Sequence, residues 1–390
     1  MKIKAYRRPD GNYGIRNKVL ILSTVGCSNE TAKLIANQVD GAVCVTNSKG
    51  CGQIGDSVNI MRRSLAGIAM NPNVYGTIIV GLGCETTQPH ELYEEIKAKS
   101  KKALKVITIQ EEGGTVKTVE KGVRLARKMV EEMSKLEREE TELSSIILAT
   151  NCGGSDATSG LSANPALGHC SDLLVKEGGT VFLGETTELI GTEHILAKRA
   201  KNDEVKERLM KIIKGLEIDF DRLGIDVRGA NPTPGNMKGG LSTLEEKALG
   251  GTSKGGSTTI NEVVRYGERP QSNGLIIMDT PGYDNESVTG MVSGGAQVCI
   301  FTTGRGTPIG NPIIPVIKIT GNQQTYQMMG DNIDVNASGV LRGEMSIREC
   351  GEEIFRKLID VCNGQYTKAE TYGFSEISIY HNNEFWCSCI

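Results

Sequence analysis

The segment Ile146–Asp172, with the sequence IILATNCGGSDATSGLSANPALGHCSD, indicates the class of fold. Its first four residues form a continuous apolar run, which is typical of a parallel strand buried on both faces. Parallel sheets bind ligands beyond the carboxyl ends of their strands, and the polar residues 151–156 follow this strand directly. Gly153 and Gly154 allow backbone N–H groups to approach an anion closely. A plain strand-to-helix turn is the alternative interpretation.

Composition and length narrow the class of protein. The 390 residues are enough for two domains, and 38% hydrophobic with 23% charged residues is typical of a globular protein. A net charge of -3 gives no electrostatic reason to expect binding to nucleic acid or to membranes. No apolar run approaches the roughly 20 residues that span a bilayer, and residues 1–10 lack the apolar core of a signal peptide. We therefore expect a cytoplasmic protein that binds neither nucleic acid nor membranes.

Short apolar runs alternate with amphipathic stretches on both sides of the charged segment 137–142. The pattern predicts an α/β fold of two Rossmann-like β/α units with mostly parallel sheets, and an active site at strand carboxyl ends between them. We divide the chain into an N-terminal α/β domain, residues 1–140, and a C-terminal α/β domain, residues 141–390. The second domain includes a long helical segment from about Glu188 to Leu216, a helix at Ile347–Cys362 and a tail.

Cysteines next to glycines follow the predicted strand ends at Cys27, Cys51, Cys84 and Cys152. Thiolates with an acidic neighbour such as Glu85 suit iron, zinc or an iron–sulfur cluster better than magnesium or calcium. The chain contains eleven cysteines, and in a reducing compartment they are not expected to form a disulfide framework. The alternative is that each is a small buried residue in a tight turn. A structural zinc ribbon is disfavoured because the chain contains no C-x-x-C.

Other polar residues also follow predicted strands. Glu185 and His194 are candidates for acid–base catalysis or metal binding, whereas Glu188 reads better as part of a salt-bridged helix start. Asp279 ends an apolar run, and Arg305 lies among hydroxyls and glycines that are suited to holding a carboxylate. The glycine-rich segments 250–258 and 304–310 lack the spacing of nucleotide-binding motifs, so nucleotide binding is not supported.

The segment Asn231–Gly250, NPTPGNMKGGLSTLEEKALG, resembles the signature of the altronate/galactarate dehydratase family, which also includes the large subunit of sulfolactate sulfo-lyase. The arginine-rich opening, residues 83–85, residues 152–165 and residues 301–308 resemble family motifs as well, so the likeness extends over nearly the whole chain. It implies a metal-dependent hydro-lyase that dehydrates a hydroxylated sugar acid such as altronate or galactarate to a 2-keto-3-deoxy acid. Release of sulfite from sulfolactate is the alternative.

The resemblance also implies a cofactor and roles for residues. The expected cofactor is Fe²⁺ or another divalent ion such as Mn²⁺, with an iron–sulfur cluster as the alternative. Arg305 and Lys247 would hold the substrate carboxylate or act as the base, although Lys247 also reads as part of an ordinary helix start capped by Ser242. The predicted metal ligands are Cys51, Cys84, Glu85 and Cys152; the predicted catalytic residues are Asp156, Glu185, His194 and Lys247; the predicted substrate-binding residues are Ser155, Asn236, Asp279, Thr303 and Arg305.

Two departures from the family pattern affect partners and substrate. Full-length members carry a small N-terminal β-rich SAF domain, whereas this chain begins at the arginine-rich segment, so we expect a large subunit that needs a small SAF-domain subunit. A homo-oligomer is also expected. A histidine often precedes the Gly-Cys-Gly turn by three residues in the family, and Asn47 occupies that place here. A sugar-acid-binding subunit without catalysis and an iron–sulfur oxidoreductase remain the alternatives.

Overall fold

Strands and helices alternate along the chain in a computed structural model that describes residues 1–381. The strands form where short apolar runs pair their backbone donors and acceptors within sheets. In chain order the strands are β1 (Lys2–Arg7), β2 (Tyr13–Gly14), β3 (Lys18–Ser23), β4 (Ala42–Val45), β5 (Val74–Gly81), β6 (Ala103–Thr108), β7 (Glu139–Glu142), β8 (Ile147–Cys152), β9 (Thr180–Leu183), β10 (Ile260–Val264), β11 (Gly274–Met278), β12 (Val298–Thr303), β13 (Val316–Thr320) and β14 (Val335–Asn336).

Amphipathic segments form the helices that cover these strands. The helix at Ile347–Cys362 has the predicted bounds, because a capping box between Ser346 and Glu349 begins it and Gly364, at a φ of 114°, follows its end. In chain order the helices are α1 (Asn29–Ala36), α2 (Asp56–Met70), α3 (Pro89–Lys99), α4 (Thr115–Met133), α5 (Asn164–Lys176), α6 (Glu193–Ala197), α7 (Asp203–Arg222), α8 (Val227–Ala230), α9 (Pro234–Lys238), α10 (Leu244–Thr252), α11 (Asp284–Ser293), α12 (Gln323–Met328), α13 (Ile347–Cys362) and α14 (Lys368–Thr371).

Two fully parallel sheets organise the molecule. The smaller sheet has the strand order β4-β3-β5-β6, and the larger has the order β10-β11-β9-β8-β12-β13-β14. The direction of strand addition reverses between β3 and β5 in the smaller sheet and between β8 and β12 in the larger. Open α/β sheets form their ligand crevices at such positions. The predicted α/β class with parallel sheets is confirmed.

Alternating side chains of the strands build separate apolar layers. In β3, Val19 and Ile21 pack with α1 and α4, whereas Leu20 and Leu22 face the opposite layer. That opposite layer contains α2 and α11 and also receives Phe182 from the larger sheet. Helices α5, α7 and α13 cover the far face of the larger sheet. The two sheets therefore share one middle layer of helices.

The halves of the chain are joined through α2 and α11. Gly67 in α2 lies so close to Ser293 in α11 that a Cβ at Gly67 would collide with the serine backbone. The Asn71 side chain donates hydrogen bonds to the carbonyl oxygens of Val292 and Ala296 at 2.9 and 2.7 Å. Residues just beyond the end of α2 thus fix the position of α11, whose first turn faces the candidate site.

Several segments differ from the sequence-based expectations. The predicted helix over Glu188–Leu216 is divided into α6 and α7, because Asn202 caps a new helix by accepting a hydrogen bond from the backbone of Val205. The charged segment 137–142 contains β7, which pairs antiparallel with β1 and forms a third sheet, β2-β1-β7. The division at residue 140 stays a prediction. Residues 382–390, which include the predicted tail residues Trp386, Cys387 and Cys389, lie outside the described part.

No helix in residues 1–381 is both long and apolar enough to cross a membrane.

Candidate active site

A cavity of about 490 Å³ lies at the carboxyl edge of the larger sheet, where the strand order reverses. The turn after β8 and the turn after β12 face it from the two strands that flank this position. The volume is suited to a small organic acid. The structure places this cavity on the larger sheet and not between the two sheets, since all of its lining comes from residues 152–306. The lining residues are Cys152, Gly153, Gly154, Ser155, Glu188, Thr233, Gly235, Asn236, Lys247, Gly282, Asp284, Arg305 and Gly306.

One thiol and two carboxylates converge at the inner end of the cavity. Potential ligand atoms of Cys152, Glu185 and Glu188 all lie within 4.8 Å of one another, and all three residues are buried. The Cys152 backbone N–H donates to Oε2 of Glu185 at 3.1 Å, and its Sγ lies 3.3 Å from Oε2 of Glu188. Oε1 of Glu185 is buried without a hydrogen-bond partner. An unpaired buried carboxylate oxygen is unfavourable, which points to a missing partner at this atom.

Two lysines lie against this group. Lys254, fully buried in the short turn after α10, places Nζ 2.8 Å from Sγ of Cys152 and forms an ion pair with Glu185. Lys247, on α10, places Nζ 2.7 Å from Oε1 of Glu188 and also lines the cavity. The two cations compensate part of the negative charge that the carboxylates bring into the interior.

Burial controls the ionisation of the buried group. It raises the pKa of the Cys152 thiol well above its ordinary value, and the charges of Glu185 and Glu188 add to the shift. Burial also raises the pKa of Glu185, whereas the Lys254 ammonium that contacts its carboxylate opposes this shift. Burial works to lower the pKa of Lys254, but Cys152 and Glu185 outweigh it and raise that pKa. Lys254 is therefore charged at neutral pH, and any cation bound by the Cys152 thiolate must displace a proton.

The backbone of Glu185 is strained. It has φ 63° and ψ 57°, and within residues 1–381 it is the one non-glycine residue with positive φ. Such a conformation costs about 1–3 kcal/mol and persists where the surroundings impose it. Here the Glu185 N–H donates to Oγ1 of Thr280 at 2.6 Å, and the Thr186 N–H donates to the Thr280 carbonyl at 2.9 Å. Strain of this kind concentrates at functional sites, which supports a role for Glu185.

The three donors fit a divalent transition-metal ion in type. A thiolate with two carboxylates combines a soft ligand with oxygen ligands, which suits iron, manganese or zinc better than calcium. The unpaired Oε1 of Glu185 supplies one donor that nothing else in residues 1–381 uses. Lys254, however, already contacts Cys152 and the other oxygen of Glu185, so an ion would share these donors with an ammonium group.

Most of the chain matches two models of one protein family. Residues 5–134 match the second domain of D-galactarate dehydratase/altronate hydrolase, and residues 143–385 match the C-terminal domain of D-galactarate/altronate dehydratase. This chain belongs to the D-galactarate/altronate dehydratase family. The resemblance that the sequence motifs predicted is confirmed.

Named relatives of the family cover nearly all of this chain. The (2R)-sulfolactate sulfo-lyase subunit beta of Chromohalobacter salexigens is 38% identical over 373 residues, which is 95% of each chain. Altronate dehydratase of Bacillus subtilis is 33% identical over 97% of this chain and 77% of its own length. Galactarate dehydratase (L-threo-forming) of Escherichia coli is 36% identical over 93% of this chain and 73% of its own length. The prediction that the chain is a lyase is confirmed at this level.

The family signature segment supplies one wall of the cavity. Asn236 of α9 donates to the Ser155 carbonyl at 2.8 Å, and Lys247 Nζ lies 3.4 Å from Oδ1 of Asn236. Thr243 caps α10, in place of the predicted Ser242, because its hydroxyl accepts the Glu246 N–H. The structure thus brings together Cys152, Ser155, Glu185, Asn236, Lys247 and Arg305 among the predicted site residues.

Three predicted metal ligands lie on the smaller sheet instead. Cys51 and Cys84 are exposed, and within residues 1–381 the group of potential ligands around Cys152 contains neither of them. Glu85 is buried, but its carboxylate accepts the N–H of Gly83 at 2.6 Å and the Thr24 hydroxyl at 2.7 Å. The expectation of one shared site is not met because strand ends converge within a sheet, whereas these residues follow strands of a different sheet from Cys152.

Asn47, which stands where relatives often have histidine, lies in the turn after β4. Its side-chain nitrogen donates to the Thr24 carbonyl at 2.7 Å, and its Oδ1 accepts the Lys49 N–H at 3.1 Å. The residue is buried, so its hydrogen bonds stabilise the turn after β4.

Asp156 and Thr303 lie next to the cavity but outside its lining, and each stabilises an adjoining turn. Asp156 accepts hydrogen bonds from the Ser159 N–H and the Asn322 side chain, each at 3.0 Å. The Thr303 hydroxyl accepts the Gly306 N–H at 2.9 Å. Neither residue is part of the cavity lining, so both shape the turns that carry Ser155 and Arg305.

Asp279 and His194 also lie outside the cavity lining. Asp279 accepts the Thr186 hydroxyl at 2.7 Å and so braces the turn next to Glu185. His194 is exposed on α6.

Three residues of the site were missed or undervalued. Lys254 lies in the glycine-rich segment 250–258, where the sequence suggested only a failed nucleotide motif. Glu188 was read as a helix start, yet it pairs with Lys247 and contacts Cys152. Asp284, beside the turn Pro281–Gly282, was passed over. The sequence carries one signal for Lys254. It is a lysine with glycine pairs on both sides, at 250–251 and 255–256, and no helix begins after it.

Proposed function

We propose that this chain is the large subunit of a metal-dependent hydro-lyase that dehydrates a hydroxylated sugar acid, such as altronate or galactarate, to a 2-keto-3-deoxy acid. The observation that carries the proposal is the convergence of Cys152, Glu185 and Glu188 at a cavity that also presents Lys247 and Arg305, in a chain of this family. Anionic donors at the inner end suit a metal cation, and cationic groups suit a carboxylate. A hydroxy acid offers both partners in one small molecule.

The reaction needs stabilisation of developing charge. It breaks the C–H bond next to the carboxylate and the C–O bond at the following carbon, and the resulting enol becomes a 2-keto acid. The proton next to a carboxylate is very weakly acidic, so negative charge on the carboxylate must be stabilised while a base removes that proton. A bound divalent ion supplies this stabilisation as a Lewis acid.

We assign Cys152, Glu185 and Glu188 to the metal, with Fe²⁺ or Mn²⁺ as the expected ion. Glu185 was predicted as a catalytic residue, but Lys254 and the Cys152 N–H hold one of its oxygens and the other is unpaired, which supports a ligand role. An iron–sulfur cluster takes most of its ligands from cysteine, and within residues 1–381 this group contains a single cysteine. A mononuclear ion is therefore the better supported form.

Lys247 and Arg305 are suited to hold the substrate. Burial works to lower the pKa of Lys247, but Glu188 outweighs it and raises that pKa, so Lys247 is charged and a carboxylate-binding role is favoured over that of base. Arg305 is exposed at the cavity and donates to the Gly235 carbonyl at 3.1 Å. Its planar guanidinium matches a carboxylate through two parallel hydrogen bonds.

The test is an anaerobic assay of the purified chain with Fe²⁺ or Mn²⁺ against aldarates, aldonates and sulfolactate, with and without a small SAF-domain protein. We expect a 2-keto-3-deoxy acid from one of the sugar acids, and poor turnover by the chain alone. The name subunit beta in one relative supports such a partner. Absence of any keto acid with every substrate, metal and partner would refute the proposal.

Sulfite release from sulfolactate is the second candidate function. It is favoured by the 38% identity to the sulfo-lyase subunit, which extends over 95% of each chain. The same metal and carboxylate contacts serve both reactions, because both begin with loss of the proton next to the carboxylate. Measuring sulfite in the same substrate panel separates the two.

A further inference from the structure

Asp284 begins α11 and lines the cavity, yet neither the motifs nor the metal assignment uses it. Its carboxylate lies directly against Gly153, where a Cβ would collide with both carboxylate oxygens. Glycine at this position therefore makes room for the carboxyl group. Oδ1 accepts a hydrogen bond from the Asn151 side chain at 2.9 Å. That bond orients the group and leaves Oδ2 available to the cavity.

The charge environment separates Asp284 from the other acidic groups. Glu188 is paired with Lys247, and Glu185 is paired with Lys254. Among residues 1–381, no lysine or arginine forms an ion pair with Asp284. Burial raises the pKa of Asp284 to about 6, and the charge of Glu188 adds to the shift, whereas the Asn151 hydrogen bond and the charges of Lys254 and Lys247 oppose it. A carboxyl group in this setting holds a proton far better than one in water.

We propose that Asp284 is the acid that protonates the departing hydroxyl group, an inference that rests on the proposed lyase function. A base in the site takes the proton next to the carboxylate, and the electron pair of the broken C–H bond forms the new C=C bond. The C–O bond breaks with its own pair, and the proton of Asp284 joins that oxygen, so water leaves and Asp284 remains as a carboxylate until solvent reprotonates it. Hydroxide is a strongly basic leaving group, because its conjugate acid, water, is very weakly acidic, and it therefore needs this proton. Sulfite is a far weaker base and leaves without it.

The experiment compares wild type with Asp284→Asn in the full chain, loaded with metal and supplied with the small subunit. Two rates are measured in D₂O: loss of water from the sugar acid, and exchange of the hydrogen next to the carboxylate in recovered substrate. We expect Asp284→Asn to lose water elimination by about 100-fold or more, the usual contribution of general acid catalysis, and to keep exchange within about threefold. Asp284→Glu retains an acid and is expected to recover at least a tenth of the wild-type rate.

A matched control is Asp334→Asn, which changes another half-buried aspartate. Asp334 lies beside β14, outside the cavity lining, and accepts the Lys318 and Lys368 N–H groups. We expect Asp334→Asn to keep the wild-type rates of water elimination and of hydrogen exchange. Equal loss of exchange and elimination in Asp284→Asn, with bound metal and circular dichroism unchanged, would overturn the proposal and make Asp284 a base or a binding group. Unchanged elimination would overturn it as well.

Failure of the underlying lyase function gives a different result. Wild type that turns over no acid of the panel refutes the lyase proposal and this inference with it. Wild type that releases sulfite but never water overturns the role of Asp284 alone, because sulfite needs no acid. Loss of water elimination with sulfite release retained in Asp284→Asn would be the strongest support.

Discussion

The carboxyl edges of the two parallel sheets look alike in sequence but differ in how their polar groups are satisfied. On the smaller sheet, the Glu85 carboxylate receives two backbone N–H groups and the Thr24 hydroxyl. On the larger sheet, Glu185 is strained, faces a buried ammonium and keeps one buried oxygen unpaired. A turn whose polar groups all have hydrogen-bond partners needs no ligand to complete it. A turn that leaves a buried carboxylate oxygen without a donor can gain that missing partner from a bound ligand.

The same contrast applies to the cysteines. Cys51 and Cys84 are exposed, whereas Cys152 is buried between two carboxylates and a lysine. Glycine and cysteine at a strand end therefore do not define a site. A site is defined instead by the charged side chains that other elements bring to the strand end.

Lys254→Met is expected to lower the free energy of unfolding by about 3–5 kcal/mol, because removing one partner of a buried ion pair leaves Glu185 uncompensated. Thr24→Val, which removes a single donor from Glu85 and keeps its volume, is expected to lower it by no more than ~2 kcal/mol. Urea unfolding of both variants measures the difference. Equal losses of unfolding free energy in the two variants would contradict the proposed difference between the carboxyl edges of the two sheets.

Asp284→Asn is expected to change how stability depends on pH. The folded pKa of Asp284, about 6, lies above its ordinary value, so the folded state binds the proton more tightly and wild type loses stability as pH rises from about 4 to about 6. The loss from this one group is roughly 3 kcal/mol at 1.36 kcal/mol for each pKa unit. Unfolding curves at pH 4 and pH 6.5 for both proteins measure this loss together with the smaller change at Glu185, whose pKa the Asp284 charge helps to raise. A pH-independent difference in stability between the two proteins would contradict a raised folded-state pKa for Asp284.

Cys152→Ser is expected to weaken metal binding by more than ~100-fold, a larger change than loss of groups that only support metal ligands. Cys84→Ser is the matched change on the smaller sheet and should leave metal content unaltered. Metal analysis after gel filtration distinguishes them. Equal iron or manganese in both variants would return Cys152 to the role of a buried turn residue.

Arg305→Lys is expected to reduce kcat/KM by about 10- to 150-fold, which corresponds to ~1.5–3 kcal/mol for a charged hydrogen bond with lost two-pronged geometry. Metal content should not change, because guanidinium is not a ligand. Thermal unfolding serves as the control. A variant with lower stability and unchanged catalytic constants would show that Arg305 is structural.

Local sequence patterns were sufficient to predict the α/β class, most strand positions and the family. Buried parallel strands must be continuous apolar runs, and helices must carry one apolar stripe, so local patterns reveal both. The bounds of α13 followed from its cap and from Gly364 for the same local reason. Motifs that lie within a few residues, such as 152–156 and 231–250, also identified the wall of the cavity, because a turn and a short helix need few distant contacts.

Which ionisable groups come into contact depends on the packing of distant segments and is visible only in the folded structure. Lys254 reaches Cys152 across 102 positions of sequence, and Asp284 reaches Asn151 across 133. Strand order brings these residues together, and strand order depends on the packing of whole layers, which no local pattern states. For this reason the sequence could propose Cys51, Cys84 and Glu85 beside Cys152 on chemical type alone, whereas the fold placed them on another sheet and brought Glu185, Glu188 and Lys254 to Cys152 instead.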